Sequence, residues 1–262
     1  MHLPNCNAET RPEVLRDFIR QNPLGILTTA IKSESYQFLQ NSHIPWIIDA
    51  DYDGNTDGLG RLRGHIARQN PQAKAIIESC TADDKSPASN VLENDVLVLF
   101  NGPVHHYVTP KFYTQTKPDT GKVVPTWDYE AVELYGKAKV YYDTKAAESG
   151  AFLAKQLHDL SDHMETSVMG YGKTAGTHPW KVEDAPERYI ELLTKNIIGI
   201  EIEITSMSGR FKWSQEKNVK DRAGVIEGFR NLETPSSALL SDKVETYAAL
   251  FDANKAAKKV EV

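Results

Sequence analysis

The sequence predicts a β-rich α+β fold in which helices surround a strand-rich middle, and three observations carry that prediction. The 262 residues suffice to bury a full core, as one large β-rich domain or a barrel with added helices. Two long segments alternate apolar and polar residues with the period of a half-buried strand. Capping signals and apolar stripes of helical spacing flank these segments.

Taken in order, Thr10 and Glu13 form a capping box, and Val14, Leu15, Phe18 and Ile19 make the apolar stripe of a first helix that Pro23 ends. Strands are expected at about 24–30, 36–48, 59–66 and 95–109. Asn70-Pro71 reads as an N-cap followed by proline at the first helical position. In the segment 129–142, Val132, Leu134, Ala138, Val140 and Tyr142 share one face, with Glu133, Tyr135, Lys137 and Lys139 on the other. A helix follows with Phe152, Leu153, Leu157 and Leu160 inside. After a Gly-, Thr- and His-rich loop at 170–179, another helix starts beyond Asp184 with Pro186 in its first turn. Ile198, Ile200, Ile202 and Ile204 alternate with Glu201, Glu203 and Thr205, and Ser208-Gly209 is expected to turn the chain into Arg210–Ser214 as a closing hairpin. The end is helical, with Val244, Tyr247, Leu250 and Phe251 on one stripe and a Lys-rich tail that frays.

Composition narrows the partners. With 30 Lys and Arg against 36 Asp and Glu, the formal net charge is -6, which argues against direct binding to nucleic acid or to an anionic membrane. No positive leader precedes an apolar core and no segment reaches the apolar length of a membrane span, so a cytoplasmic location is expected. Cys6 and Cys80 are too few for a disulfide framework or a zinc site and read as free thiols.

The run Gly60-Arg61-Leu62-Arg63-Gly64-His65-Ile66-Ala67-Arg68-Gln69-Asn70-Pro71 is the most informative chemistry. Arg61 and Arg63 share one face of a strand, and the strand leads into the start of a helix. Guanidinium groups bind phosphate bidentately, glycine permits close approach, and a helix start presents free N–H groups. This is a place to hold an anion. Other tempting patterns carry less. Asp49, Asp51, Asp53, Gly54 and Asp57 imitate the early positions of a calcium loop, but Gly60 stands where the bidentate Glu is needed, so a polar hairpin loop is expected. His105 and His106 point to opposite faces of a strand, and His158 and His163 diverge on a helix, so no metal site is expected. Gly170, Gly172 and Gly176 lack the spacing of a phosphate loop around Lys173.

An ordered set of motifs adds a family resemblance. It comprises Asn22-Pro23-Leu24-Gly25-Ile26-Leu27-Thr28-Thr29, Ser42-His43-Ile44-Pro45-Trp46-Ile47-Ile48-Asp49, the arginine run, Val96–Pro103, Val124-Pro125-Thr126-Trp127-Asp128-Tyr129, Tyr135-Gly136, Gly209-Arg210-Phe211-Lys212-Trp213-Ser214-Gln215 and Asp221–Gly228. From about Met1 to about Phe229 this set resembles the PaiB-type FMN-binding family, a branch of the FMN-binding split barrels related to pyridoxamine phosphate oxidase. The resemblance implies an FMN-binding split β-barrel with peripheral helices over residues 1–230 and a C-terminal helical extension over 231–262.

It also implies a site. Arg63, Gly64, His65, Ile66, Ala67, Arg68 and Asn70 would contact phosphate and ribityl groups, with Arg68 foremost. The strand His43-Ile44-Pro45 would border the flavin ring through its backbone, Thr28 and Thr29 would add hydroxyls, and Trp127 an aromatic wall. Lys212, Ser214 and Gln215 resemble a late segment that reaches the cofactor across a homodimer interface. The chain departs from the family pattern at Asp128, where Asn is common, and at His105-His106-Tyr107-Val108-Thr109-Pro110, which replaces a more apolar run. An ionised Asp128 near the ring would disfavour an anionic reduced flavin. The resemblance thus implies a flavin-dependent oxidoreductase acting on a small molecule, with the cofactor supplying the electron transfer. Two other readings stand beside it: a regulatory or sensing protein, since family members are labelled transcriptional regulators, and a haem-binding split barrel with His65, His105 or His106 as axial ligand. No Ser, Cys or acid–base constellation names a catalytic group.

Overall fold

The computed structural model describes residues 1–50, 58–81 and 90–260. The first half of the chain contains β1 (Ala8–Glu9), α1 (Pro12–Gln21), β2 (Leu24–Ala30), β3 (Leu39–Pro45), β4 (Ile47–Asp49), β5 (Arg61–Ala67), α2 (Pro71–Thr81), β6 (Val96–Asn101), β7 (His106–Val108) and α3 (Thr116–Thr120). The second contains β8 (Thr126–Tyr141), α4 (Ala147–Asp162), α5 (Glu187–Thr194), β9 (Ile197–Lys212), α6 (Val219–Arg230) and α7 (Ser237–Val260). These elements form two compact units, one of Pro12–Phe100 with Glu133–Met207, the other of Met1–Arg11, Asn101–Val132 and Ser208–Val262.

The first unit is a split β-barrel, and its closure follows from one residue. The strand order is β3-β2-β6-β8-β9-β5-β4. Yet β3 and β4 are a single run of chain interrupted only by Trp46. Its first stretch pairs antiparallel with β2, from Leu24↔Pro45 to Ala30↔Leu39, and its second with β5, from Ile47↔Arg63 to Asp49↔Arg61. One run therefore serves both ends of the sheet and brings them together. Alternation along each strand sends Leu27, Ile44, Leu62, Val98, Leu134, Ile200 and Ile202 into the interior, where they and Trp46 are buried. Gly64 is needed at this point, because a Cβ there would lie 2.7 Å from the Trp46 ring.

Helices cover part of the outer barrel surface. α4 lies on β4 and β5 and buries Leu153, Gln156 and Leu160, and Phe152 stacks on Tyr141 with centroids 4.0 Å apart. α2 packs beside β3.

The second unit is built on strand ends and two helices. β1 pairs with the end of β9 (Ala8↔Arg210), and β7 with the start of β8 (His106↔Asp128 to Val108↔Thr126). Arg222 of α6 donates to both oxygens of Asp252 in α7, at 3.0 and 2.6 Å.

Several expected boundaries shift for physical reasons. The strand expected at 36–48 divides at Trp46, whose indole turns into the core. The strand expected at 95–109 divides at Gly102-Pro103, where proline has no N–H for the ladder. β9 runs straight through Ser208-Gly209 instead of turning, because β1 supplies a pairing partner at Gly209 and Arg210. Pro186 stands just before α5 instead of within its first turn. Ahead of Pro12, the Glu9 carboxylate accepts the amide hydrogens of Thr10 and Arg11 at 3.0 and 2.9 Å, in place of the expected Thr10–Glu13 box. The acidic run from Asp51 to Asp57 lies outside the described residues.

Candidate functional site

The turn from β5 into α2 builds as its sequence suggests. Asn70 caps the helix, its Oδ1 accepting from the Gln72 amide at 2.8 Å, and Pro71 opens the first turn. The other end of the Asn70 amide donates to the Ser42 hydroxyl at 2.9 Å, which ties the helix start to β3. Gln72 is buried and donates to the Leu27 carbonyl, the Thr29 hydroxyl and the Gln40 carbonyl, while its Oε1 has no partner. A cleft of about 650 Å³ opens here, with Tyr36, Gln40, Ser42, Asn70 and Gln72 on its wall.

On the other side of β3 lies an uncovered apolar sheet face. The β2–β3 and β2–β6 registers place Leu24, Pro45, Ile26, His43, Leu99, Thr28, Asn41, Leu97 and Leu39 on one side, with Leu24 58% and Leu39 65% exposed. Thr28, His43 and Pro45 belong to this face. Thr29, Ile44, Gly64 and Ile66 alternate to the interior, so toward a ligand outside they offer only backbone.

The arginines part company. Arg63 is buried and its charge is taken up inside the unit: it donates to Asp49 at 2.7 and 2.9 Å and to Asp159 at 2.7 Å. Burial pushes both carboxyls up; Arg63 and Arg61 overcome it at Asp49, and Lys155 and Arg63 at Asp159, holding each below the usual carboxylate range. Arg61 pairs with Asp49 and Glu201. Arg68 instead donates to the carbonyls of Tyr142 (2.5 Å) and Lys195 (3.3 Å) and faces a different cavity. His65 is half-buried with an unpartnered Nδ1, and burial holds its pKa below the usual histidine value. Ala67 is exposed.

The second unit holds the remaining candidates. Trp127 is 48% exposed, its indole N–H donating to His105 Nδ1 at 3.2 Å and its ring edge-on to Tyr107. Lys212 Nζ donates to the Thr126 hydroxyl and the Trp127 carbonyl, each at 2.8 Å, and to Asp128 Oδ1 at 3.2 Å. Ser214, in the left-handed region at φ 55°, donates to Asp128 Oδ2 at 2.8 Å. Gln215 donates to the carbonyls of Cys6 and Phe211 and accepts from the Trp213 amide. Lys212, Ser214 and Gln215 thus spend their polar atoms within the unit, and Trp127 is the one left open. Burial, against the pull of Lys212 and Ser214, pushes the Asp128 carboxyl up to about 6.

Sequence reasoning missed Tyr113, whose buried hydroxyl has no partner and whose pKa burial, then Asp128, raises to about 12. It missed Gln72 too, for which the only signal is a glutamine at helical spacing from Ala75 and Ile76, on the buried face of α2. Among the described residues no group of His, Cys, Asp and Glu could hold a metal ion, and no helix is long and apolar enough to cross a membrane.

Residues 1–206 match the family model described as "Putative FMN-binding domain". An uncharacterized protein of Aspergillus fumigatus is 57% identical over 242 residues, covering 89% of this chain and 92% of that protein. The protease synthase and sporulation protein PAI 2 of Bacillus subtilis is 26% identical over 245 residues, covering 94% of this chain and 97% of that protein. Among solved structures, the flavocytochrome Anf3 of Azotobacter vinelandii is similar at a TM-score of 0.45 and 12% identity, over 85% of this chain and 78% of that one.

Proposed function

The chain belongs to the FMN-binding domain family, and we propose on that footing that its barrel unit binds FMN and serves as a flavin-dependent oxidoreductase on a small molecule. The observation that carries the reading is a helix start rich in amide and hydroxyl groups at the edge of β3, with an uncovered apolar sheet face on the other side of that strand. A flavin is a flat apolar ring on a polar tail, so the two parts match its two halves. Leu24, Ile26, Leu97 and Leu99 provide the flat face, with the backbone of His43–Pro45 along it. Ser42, Asn70 and the N-terminus of α2 fit the phosphate end. The orphaned Gln72 Oε1 fits a ribityl hydroxyl, which is a donor that the protein itself does not supply there.

Arg63 does not enter this arrangement, because its charge is already met by Asp49 and Asp159. When bound, FMN supplies the electron-transfer chemistry. The protein's part is to orient the ring and to keep water from its apolar side. A homodimer is part of the same proposal: the open face of β2, β3 and β6 suits a second copy, and the exposed Trp127 suits a ring presented by a partner.

Titration of the apo-protein with FMN, followed by flavin fluorescence and sedimentation, tests this. Saturable quenching with dimerisation supports it, and dilution should release flavin and separate subunits together. A monomer that holds FMN tightly refutes the interface, and no binding refutes the cofactor. The name of the Bacillus relative supports a second reading, a regulatory protein whose bound flavin is sensed. Flavin that binds but is not bleached by NADH or NADPH under anaerobic conditions favours that reading.

A further inference from the structure

The barrel unit has a second cavity, of about 770 Å³, between the first turn of α4, the chain after β8 and the wall made by 182–195. The flavin reading above makes no use of it. Its polar end is built for an anion. α4 has Ala146 at its N-cap, so no side chain caps the helix, and the first-turn N–H groups keep their partial positive charge. Ser149, in that turn, is only 6% exposed and lines the cavity, and among the described residues its hydroxyl has no hydrogen-bond partner. Arg68 borders the same space. Its guanidinium is fixed by two backbone carbonyls and meets no carboxylate among the described residues, so part of its N–H set and all of its charge remain for a ligand. A Cβ built on Gly150 would meet nothing within 4 Å, so the space beside the helix start is open.

The rest of the lining decides the kind of anion. Leu153, Val182 and Ile190 give the lining an apolar wall, which calls for an apolar body on the ligand. Asp143, Glu183, Glu187 and Glu191 are exposed on the same lining, with Lys195 beside them. They repel a dianion more than a monoanion, which disfavours a phosphate ester. We propose that this cavity is a binding site for an amphipathic monocarboxylate, an aryl or alkyl acid, held at its carboxylate by Ser149, Arg68 and the start of α4.

Calorimetry on the full chain with three probes of one body and different heads tests the assignment: phenylacetate, phenyl phosphate and phenethylamine. Phenylacetate is expected to bind best. Ser149→Ala and Arg68→Ala should each weaken it by about tenfold, the scale of a lost charge-assisted hydrogen bond, and Gly150→Leu, whose side chain enters open space, should abolish it. A folded Ser149→Ala or Gly150→Leu protein that binds phenylacetate as the wild type does overturns the proposal. So does tighter binding of phenyl phosphate or of phenethylamine, or no binding of phenylacetate at all. FMN affinity unchanged in Ser149→Ala separates this site from the flavin reading, whose failure would leave the phenylacetate result standing.

Discussion

Lys212 reaches Asp128 across 3.2 Å, and the carboxylate it meets has no exposed surface. The ammonium also bonds the Thr126 hydroxyl and the Trp127 carbonyl, so one cation is shared among three acceptors. The pair does not cancel the cost of taking Asp128 out of water, and its carboxyl rises to about 6 from 3.8.

The sign of the resulting pH dependence follows. Between about pH 4 and 6 the folded protein holds a proton on Asp128 that the unfolded chain has released, so this group's contribution to stability falls as pH rises through that window. Other carboxylates titrate nearby, so the measure is the difference between wild type and Asp128→Asn in urea denaturation at pH 4, 5, 6 and 7. The wild type should lose ground to the variant by on the order of 2–3 kcal/mol across the window. A constant difference would show that Asp128 titrates normally.

Arg63 should behave oppositely. Asp49 and Asp159 are held below the usual range, so their contribution is present above about pH 4 and lost as pH falls through their folded values. Arg63→Ala leaves both acids without the buried cation and should cost about 3–5 kcal/mol at pH 7, with a much smaller cost near pH 3. Thermal melts at both pH values check this, and an equal loss at each would exclude the ion network as the cause.

Gly64 and Gly150 make a contrasting pair. Alanine at Gly64 drives its Cβ into the Trp46 ring and should destabilise the barrel by about 1–3 kcal/mol. Alanine at Gly150 meets open space within a helix and should stabilise by about 0.5–1 kcal/mol. Denaturation midpoints of the two variants should therefore move in opposite directions.

Asn70 has two roles that one series separates. Asn70→Ala removes the cap of α2 and should cost about 1 kcal/mol, and it should also weaken FMN. Asn70→Ser keeps a capping oxygen but loses the amide that reaches Ser42. It should recover most of the stability without recovering flavin affinity, as read by melting and by fluorescence titration. Recovery of both would assign Asn70 to the helix alone.

Local chemistry was legible in the sequence by itself. Asn70-Pro71 specified the start of α2 because an N-cap oxygen and a fixed proline φ act within one turn. The alternation of Ile198–Ile204 specified an inward face because side chains in a strand point to opposite sides at period two. The expectation of an anion site at Gly60–Pro71 came from the same kind of local signal. The fate of its arginines was not written there. Asp159, which neutralises Arg63, lies 96 residues further along, and the Tyr142 carbonyl that holds Arg68 lies 74 residues along. Barrel closure at Trp46 depended on which strands would accept the two halves of one run, and the passage of β9 through Ser208-Gly209 on whether β1 would pair there. Such choices rest on partners distant in sequence, which local propensity cannot see and which only packing brings within hydrogen-bonding range.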